Sequence, residues 1–131
     1  MFTNGVFDIL HRGHVEYLAI AKSYGDILVV GLNTDASVRR LKGPSRPLQK
    51  LRDRAVILLA LRSVDYVVPF GEDTPERLIR AIAPDVLVKG ADYKIKDIVG
   101  TEFVLANGGV VKRVRLTSGR SSTGIIRRFS E

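Results

Sequence analysis

The chain contains no cysteine. Disulfide frameworks and thiolate chemistry are excluded, and the composition suits a reducing, cytoplasmic compartment. Long apolar runs are also missing. The longest pieces, such as DILVVGL and AVILLALRSV, are core-sized and fall short of the roughly 20 apolar residues of a membrane span. The opening residues MFTNG lack the charged and apolar regions of a signal peptide. No repeat, low-complexity stretch or linker divides the 131 residues, which predicts one domain, 1–131. Neither GxGxxG nor GxxxxGKS/T occurs, so any bound phosphate needs another cradle. Histidine is scarce: there are two, His11 and His14, in one short stretch.

What is present is apolar and basic. A hydrophobic content of 45% supports a real core and excludes a disordered chain. The net charge of +7 favours anionic partners. The cations are scattered, from Arg39, Arg40, Lys42 and Arg46 to Arg113, Arg120, Arg127 and Arg128. No run reaches the length of a basic tail, which argues against nucleic acid or a membrane surface and for a phosphorylated small molecule.

Strand-sized runs alternate with helical patterns. MFTNGVF reads as a truncated strand entering a turn, and ILVVGLN, YVVPF, DVLVKG and VVKRVRL read as further strands. The spacing predicts helices over His14–Ser23, from a Thr34 cap to about Leu41, and over Leu51–Leu61, the last amphipathic. A helix capped by Thr74 or Asp73, with Pro75 in its first turn, should end before Pro84. Another is expected over Lys96–Asn107, stopped by Gly108 and Gly109, and a last one opening at SSTGIIRRF. The KGPSRP segment, 42–47, reads as a loop between helices. This alternation predicts a Rossmann-like, three-layer α/β/α fold with a mostly parallel five-stranded sheet. Ligands of such sheets bind beyond the carboxyl ends of the strands, where strand order reverses.

The segment GVFDILHRGH lies in the turn after the first strand. Gly5 and Gly13 would let backbone approach a ligand, and a helix N-terminus suits phosphate. His11 and His14, spaced as on one helical turn, could face one ligand. Metal ligation is one reading of the pair, with Asp8 as a further donor, but no cysteine or third histidine is available. Phosphate contact is another, and a capping or packing role is the third. Downstream, LTSGRSSTGIIRR places Arg120, Ser121, Ser122 and Thr123 before an apolar helical start, more than a single cap needs. Lys42 and Arg46 sit in the loop, where cations could close over phosphates. Lys89, Gly90, Asp92 and Tyr93 follow the fourth strand, where a base or sugar could be read.

Together, GVFDILHRGH and RSSTGII resemble the nucleotidyltransferase superfamily of the cytidylyltransferase-like type, with its HxGH turn and SST motif. FTNGVFDILHRGHVEYL, LNTDASVRRLKGPSRP, APDVLVKGADY and NGG are most similar to the adenylyltransferase domain of ADP-heptose synthase. The resemblance spans essentially the whole chain. It implies transfer of AMP from ATP to D-glycero-β-D-manno-heptose 1-phosphate, with magnesium on the phosphates and no protein metal centre. Carried over, His11, His14 and Lys42 would be the catalytic groups. Thr3, Asn4, Gly5, Phe7, Asp8, Gly13 and Arg46 would line the nucleotide and phosphate site. Lys89, Gly90, Asp92 and Tyr93 would lie by the nucleoside, and Ser121, Ser122 and Thr123 would hold the β- and γ-phosphates. Bifunctional members carry a preceding sugar kinase domain, so a separate kinase would supply the acceptor of a stand-alone transferase; a homodimer is a further option. Two alternatives stay open: a cytidylyltransferase acting on glycerol 3-phosphate or another small phosphate, and a non-catalytic nucleotide- or nucleic-acid-binding module.

Overall fold

The computed structural model describes residues 1–115. The residues 116–131, with the expected SST motif and last helix, lie outside that range.

Five strands form one sheet: β1 (Phe2–Gly5), β2 (Val29–Asn33), β3 (Tyr66–Phe70), β4 (Val86–Gly90) and β5 (Val110–Val114). Their order is β3-β2-β1-β4-β5. Every pairing is parallel, so the expected mostly parallel sheet is wholly so. The order reverses between β1 and β4, the switch point of a doubly wound sheet. There the ladder is brief: Phe2 pairs with Leu87, whereas β1 and β2 stay in register from Phe2–Val29 to Gly5–Leu32.

The helices are α1 (Arg12–Ser23), α2 (Asp35–Lys42), α3 (Leu51–Leu59), α4 (Glu76–Ile82) and α5 (Thr101–Ala106). Apolar alternation along the strands makes two cores. On one face Val30, Leu32 and Val88 pack with Tyr17, Leu18 and Ala21 of α1 and Leu58 of α3. On the other, Phe2 and Leu87 pack with Ile79 of α4 and Val104 of α5. The sheet therefore has helices on both sides, the three expected layers. Each face alternates residue by residue, so Thr3 turns toward α1 and Asn4 toward α4.

Three expectations are corrected. The helix expected over Lys96–Asn107 is a short 3-10 turn, Ile95–Asp97, followed by α5. Gly100 adopts φ +90 between them, and the Thr101 hydroxyl donates to the Ile95 and Ile98 carbonyls. That backbone turn ends one helix and starts another, which apolar spacing does not reveal. Neither Thr74 nor Asp73 caps α4; Pro75 takes the cap position with no side-chain bond. Finally, α3 is not cleanly amphipathic: Val56 and Leu59 are exposed, while Arg54 is buried.

Candidate active site

His11 is the N-cap of α1. Its Nδ1 accepts the Gly13 N–H at 3.0 Å, and His14 Nδ1 accepts the His11 N–H at 3.4 Å. This is a capping box built from two imidazoles, where serine and glutamate are usual. The rings stack with centroids 3.9 Å apart and planes 23° from parallel. Because Nδ1 accepts in both, each neutral ring carries its proton on Nε2, as a donor. Burial, and then the neighbouring His11, lower the pKa of His14 to about 4. His14 is thus a neutral donor near pH 7, stiffened by an edge-on Phe7 ring at 5.3 Å.

The glycines serve this arrangement differently from expectation. A Cβ on Gly5 would meet the Phe7 ring at 2.9 Å, so the space at Gly5 is filled by Phe7. Phe7 itself has φ +47, a conformation that few bulky residues adopt, and this aims its ring at His14. Gly13 does not precede the helix; it is buried within the first turn of α1.

Asp8 is 1% exposed and faces inward. Its carboxylate accepts from Arg46 Nε at 2.8 Å, from the Leu48 N–H at 2.8 Å and from the Gln49 N–H at 2.9 Å. Burial raises its pKa, but the Leu48, Gln49 and Arg46 bonds outweigh burial and hold it below the usual carboxylate range. Arg46, expected on phosphate, spends its Nε on Asp8. Lys42 is not in the loop but is the exposed last residue of α2.

Sequence reasoning missed Arg54, which is 0% exposed. It donates to the carbonyls of Gln49, Val6 and Asn33, each at 2.9 Å, and to Asp35 at 2.7 Å. One guanidinium thereby ties the exits of β1 and β2 to the start of α2 and the loop before α3. The signal was present: Arg54 falls at helical spacing between Leu51 and Leu58, on the face that meets the core.

On the α4 face, Asn4 and Lys89 flank a cavity of ≈ 140 Å³, lined also by Asp73, Thr74, Tyr93 and Asp97. Asn4 Oδ1 is buried and has no hydrogen-bond partner among the described residues. Lys89 Nζ lies 3.4 Å from the Asn4 carbonyl and 5.2 Å from the centre of the Tyr93 ring. Burial lowers its pKa, and Asp92 partly offsets this. Gly90 ends β4, while Asp92 and Tyr93 are exposed beyond it. Thr3, by contrast, turns toward α1: fully buried, it bonds the Tyr17 hydroxyl at 2.8 Å, and Tyr17 donates to the Val88 carbonyl.

The structure therefore gathers His11, His14 and Phe7 at the head of α1. It gathers Asn4, Lys89 and Tyr93 across the β1–β4 seam. Asp8 and Arg46 brace the loop, Thr3 belongs to the core, and Ser121, Ser122 and Thr123 lie outside the described residues. Among the described residues no group of three or more His, Asp or Glu side chains could hold a metal ion. Among them, no helix is long and apolar enough to cross a membrane.

Residues 2–128 match the cytidylyltransferase-like family. The chain is 57% identical over 129 residues to the bifunctional protein HldE of Sulfurimonas denitrificans, covering 98% of this chain and 26% of that protein. It is 58% identical over 129 residues to the HldE of Caulobacter sp. strain K31, again covering 98% and 26%. It spans about a quarter of the length of the curated relatives it matches. Among solved structures, the lipopolysaccharide core biosynthesis protein from Thermoplasma volcanium GSS1 superposes with a TM-score of 0.68 at 31% identity. That match covers 88% of this chain and 93% of the other.

Proposed function

The chain belongs to the cytidylyltransferase-like family, and from that premise we propose that it is an adenylyltransferase that moves AMP from ATP to D-glycero-β-D-manno-heptose 1-phosphate. The products are ADP-heptose and pyrophosphate. The observation that carries the reading is the stacked pair His11 and His14 at the head of α1, beside the switch point. The similarity to HldE proteins and to a lipopolysaccharide core biosynthesis protein favours the sugar phosphate as acceptor.

A phosphate oxygen of the acceptor attacks the α-phosphorus of ATP. The bond from that phosphorus to the β-bridging oxygen breaks, and pyrophosphate leaves with its electrons. The enzyme needs no nucleophile of its own; its work is positioning and charge stabilisation. The Nε2–H groups of His11 and His14 hydrogen-bond phosphate oxygens as charge develops, and the N-terminus of α1 adds its partial positive charge. Because His14 is already neutral and held by Nδ1 and Phe7, it needs no reorganisation during the step. Lys42, at the end of α2, neutralises a substrate phosphate, and the exposed Asp92 and Tyr93 lie by the nucleoside. Ser121, Ser122 and Thr123 take the pyrophosphate end. Magnesium enters as the ATP complex. Asp8 is not free to hold it, since Arg46, Leu48 and Gln49 already occupy its oxygens. The reaction belongs in the cytoplasm, with a sugar kinase supplying the acceptor.

Pyrophosphate release with magnesium, crossing ATP and CTP with heptose 1-phosphate and glycerol 3-phosphate, tests the reading. Release with ATP and heptose 1-phosphate alone is expected. Release with CTP and glycerol 3-phosphate would replace the substrates. Binding to DNA with no pyrophosphate release from any pair would overturn the enzymatic reading.

A further inference from the structure

We infer that Tyr17 is a positioning residue for nucleotidyl transfer: its hydroxyl bridges β1 and β4 where their ladder stops, and so sets the place of the His11–His14 cap. This assignment rests on the catalytic reading of the histidines given above.

The seam between the two strands is where such a bridge matters. β4 and β5 stay in register from Val86–Val110 to Gly90–Val114, whereas β1 and β4 pair at Phe2–Leu87. One residue beyond that pair, the Tyr17 hydroxyl meets both strands. It lies 2.8 Å from the Thr3 hydroxyl and donates to the Val88 carbonyl at 3.1 Å. Its single proton goes to Val88, so Thr3 is the donor in the first bond. A directed chain therefore runs from Thr3 through Tyr17 to Val88, and each bond polarises the next.

Packing alone does not ask for this hydroxyl. Tyr17 is buried among Leu18, Ala21, Val30 and Val88, where phenylalanine would fill the same volume. A buried hydroxyl costs free energy unless it is bonded, and the net gain from bonding is modest. Burial also raises the pKa of Tyr17, so the phenol keeps the proton that it donates. What the bonds add to apolar contact is direction, which hydrophobic burial lacks. Leu18 and Ala21 hold α1 against the sheet. The relay fixes its height along the strands.

That height matters at the histidines. His14 precedes Tyr17 by three positions, on the same face and about 4.5 Å along the axis. His11 caps the same turn and stacks on His14. A stiff helix carries a shift at the phenol to both rings, and donors at a reacting phosphate lose much of their effect when displaced. Phe7 touches His14 directly, whereas Tyr17 acts on it through the backbone of α1.

The test uses Tyr17→Phe, Thr3→Val and, as a control, Leu58→Val, which thins the same core without touching the relay. Pyrophosphate release gives kcat and KM, nitrogen NMR gives the imidazole signals of His11 and His14, and a thermal scan gives the midpoint. Rates are taken well below the lowest midpoint. Tyr17→Phe should lower kcat about tenfold and shift the imidazole signals, with KM for both substrates within about twofold of wild type. Thr3→Val keeps the Val88 bond and should show the same pattern at about threefold. Leu58→Val should lower the midpoint at least as far and leave kcat and both imidazoles as they are. Normal kcat or unmoved imidazoles in Tyr17→Phe would make the hydroxyl purely structural and overturn the inference. A rise in KM in place of the loss in kcat would overturn it too.

The imidazole signals need no turnover, so they separate this inference from the choice of acceptor. If the wild type is silent with heptose 1-phosphate, the substrate reading fails on its own. A shift in Tyr17→Phe that is absent from Leu58→Val then upholds the relay, and equal spectra overturn it.

Discussion

Arg54 Nη1 reaches the Val6 carbonyl at 2.9 Å across 48 positions of sequence. A charged side chain of α3 thus sits directly beneath the turn that leads to the histidines. Arg54→Ala would leave the Val6, Asn33 and Gln49 carbonyls without their donor and Asp35 without its cation. A loss of about 3–5 kcal/mol is expected in chemical denaturation. Arg54→Lys keeps the charge but not the fork and should recover only part of it. A loss below about 1 kcal/mol in the alanine variant would remove Arg54 as the tie.

His14→Ala should fold and lose about 100- to 1000-fold in turnover, the usual cost of one positioned donor at a developing charge. Near-normal turnover would take the histidine pair out of the mechanism.

The same residue sets a pH dependence. The unfolded histidine takes up a proton near 6.5, and the folded one near about 4. Between those values the unfolded chain binds more protons, so stability falls as pH falls from 6.5 toward 4 and is intact above that window. His14→Gln should flatten this slope. Denaturation midpoints at several pH values check it, and an identical slope in both proteins would contradict it.

Asp8 and Arg46 should act as one unit. The Asp8 side chain is 0% exposed and that of Arg46 12%, so their contact is shielded from water. Asp8→Asn and Arg46→Ala should each weaken the protein, and the double variant should cost less than their sum by at least about 0.5 kcal/mol. Strict additivity would mean that Arg46 works elsewhere, on phosphate.

Thr3→Val should lower stability by about 1 kcal/mol, through loss of the bond to Tyr17, with KM for ATP unchanged. A raised KM for ATP with normal stability would return Thr3 to the nucleotide site.

The fold was legible because its signals are periodic. Apolar runs with breakers between them place every strand within two residues of its observed bounds, and the Thr34 cap is found bonding the Ser37 N–H. The His11–His14 cluster was legible because scarcity concentrates attention. What was not legible depends on which way a side chain turns. Thr3 and Asn4 are neighbours of similar polarity, yet the pleat sends one to the core and the other to a cavity. Arg46 and Lys42 look alike as loop cations, but a carboxylate 38 positions away claims the first. Gly5 reads as a gap for phosphate until Phe7, at its unusual φ, is seen to fill it. The break at Gly100 is likewise a backbone choice that the flanking apolar residues mask.

The parting of β1 and β4 after Phe2–Leu87 has an evolutionary reading. The seam lies in the middle of the sheet, with one hydrophobic core on each face. Positions 4 and 89 face that seam without belonging to either core. Substitution there can reshape the cavity they line while both hydrophobic clusters and the histidine cap stay as they are. A lineage built on this fold can therefore diversify its chemistry one strand end at a time, with little penalty to folding.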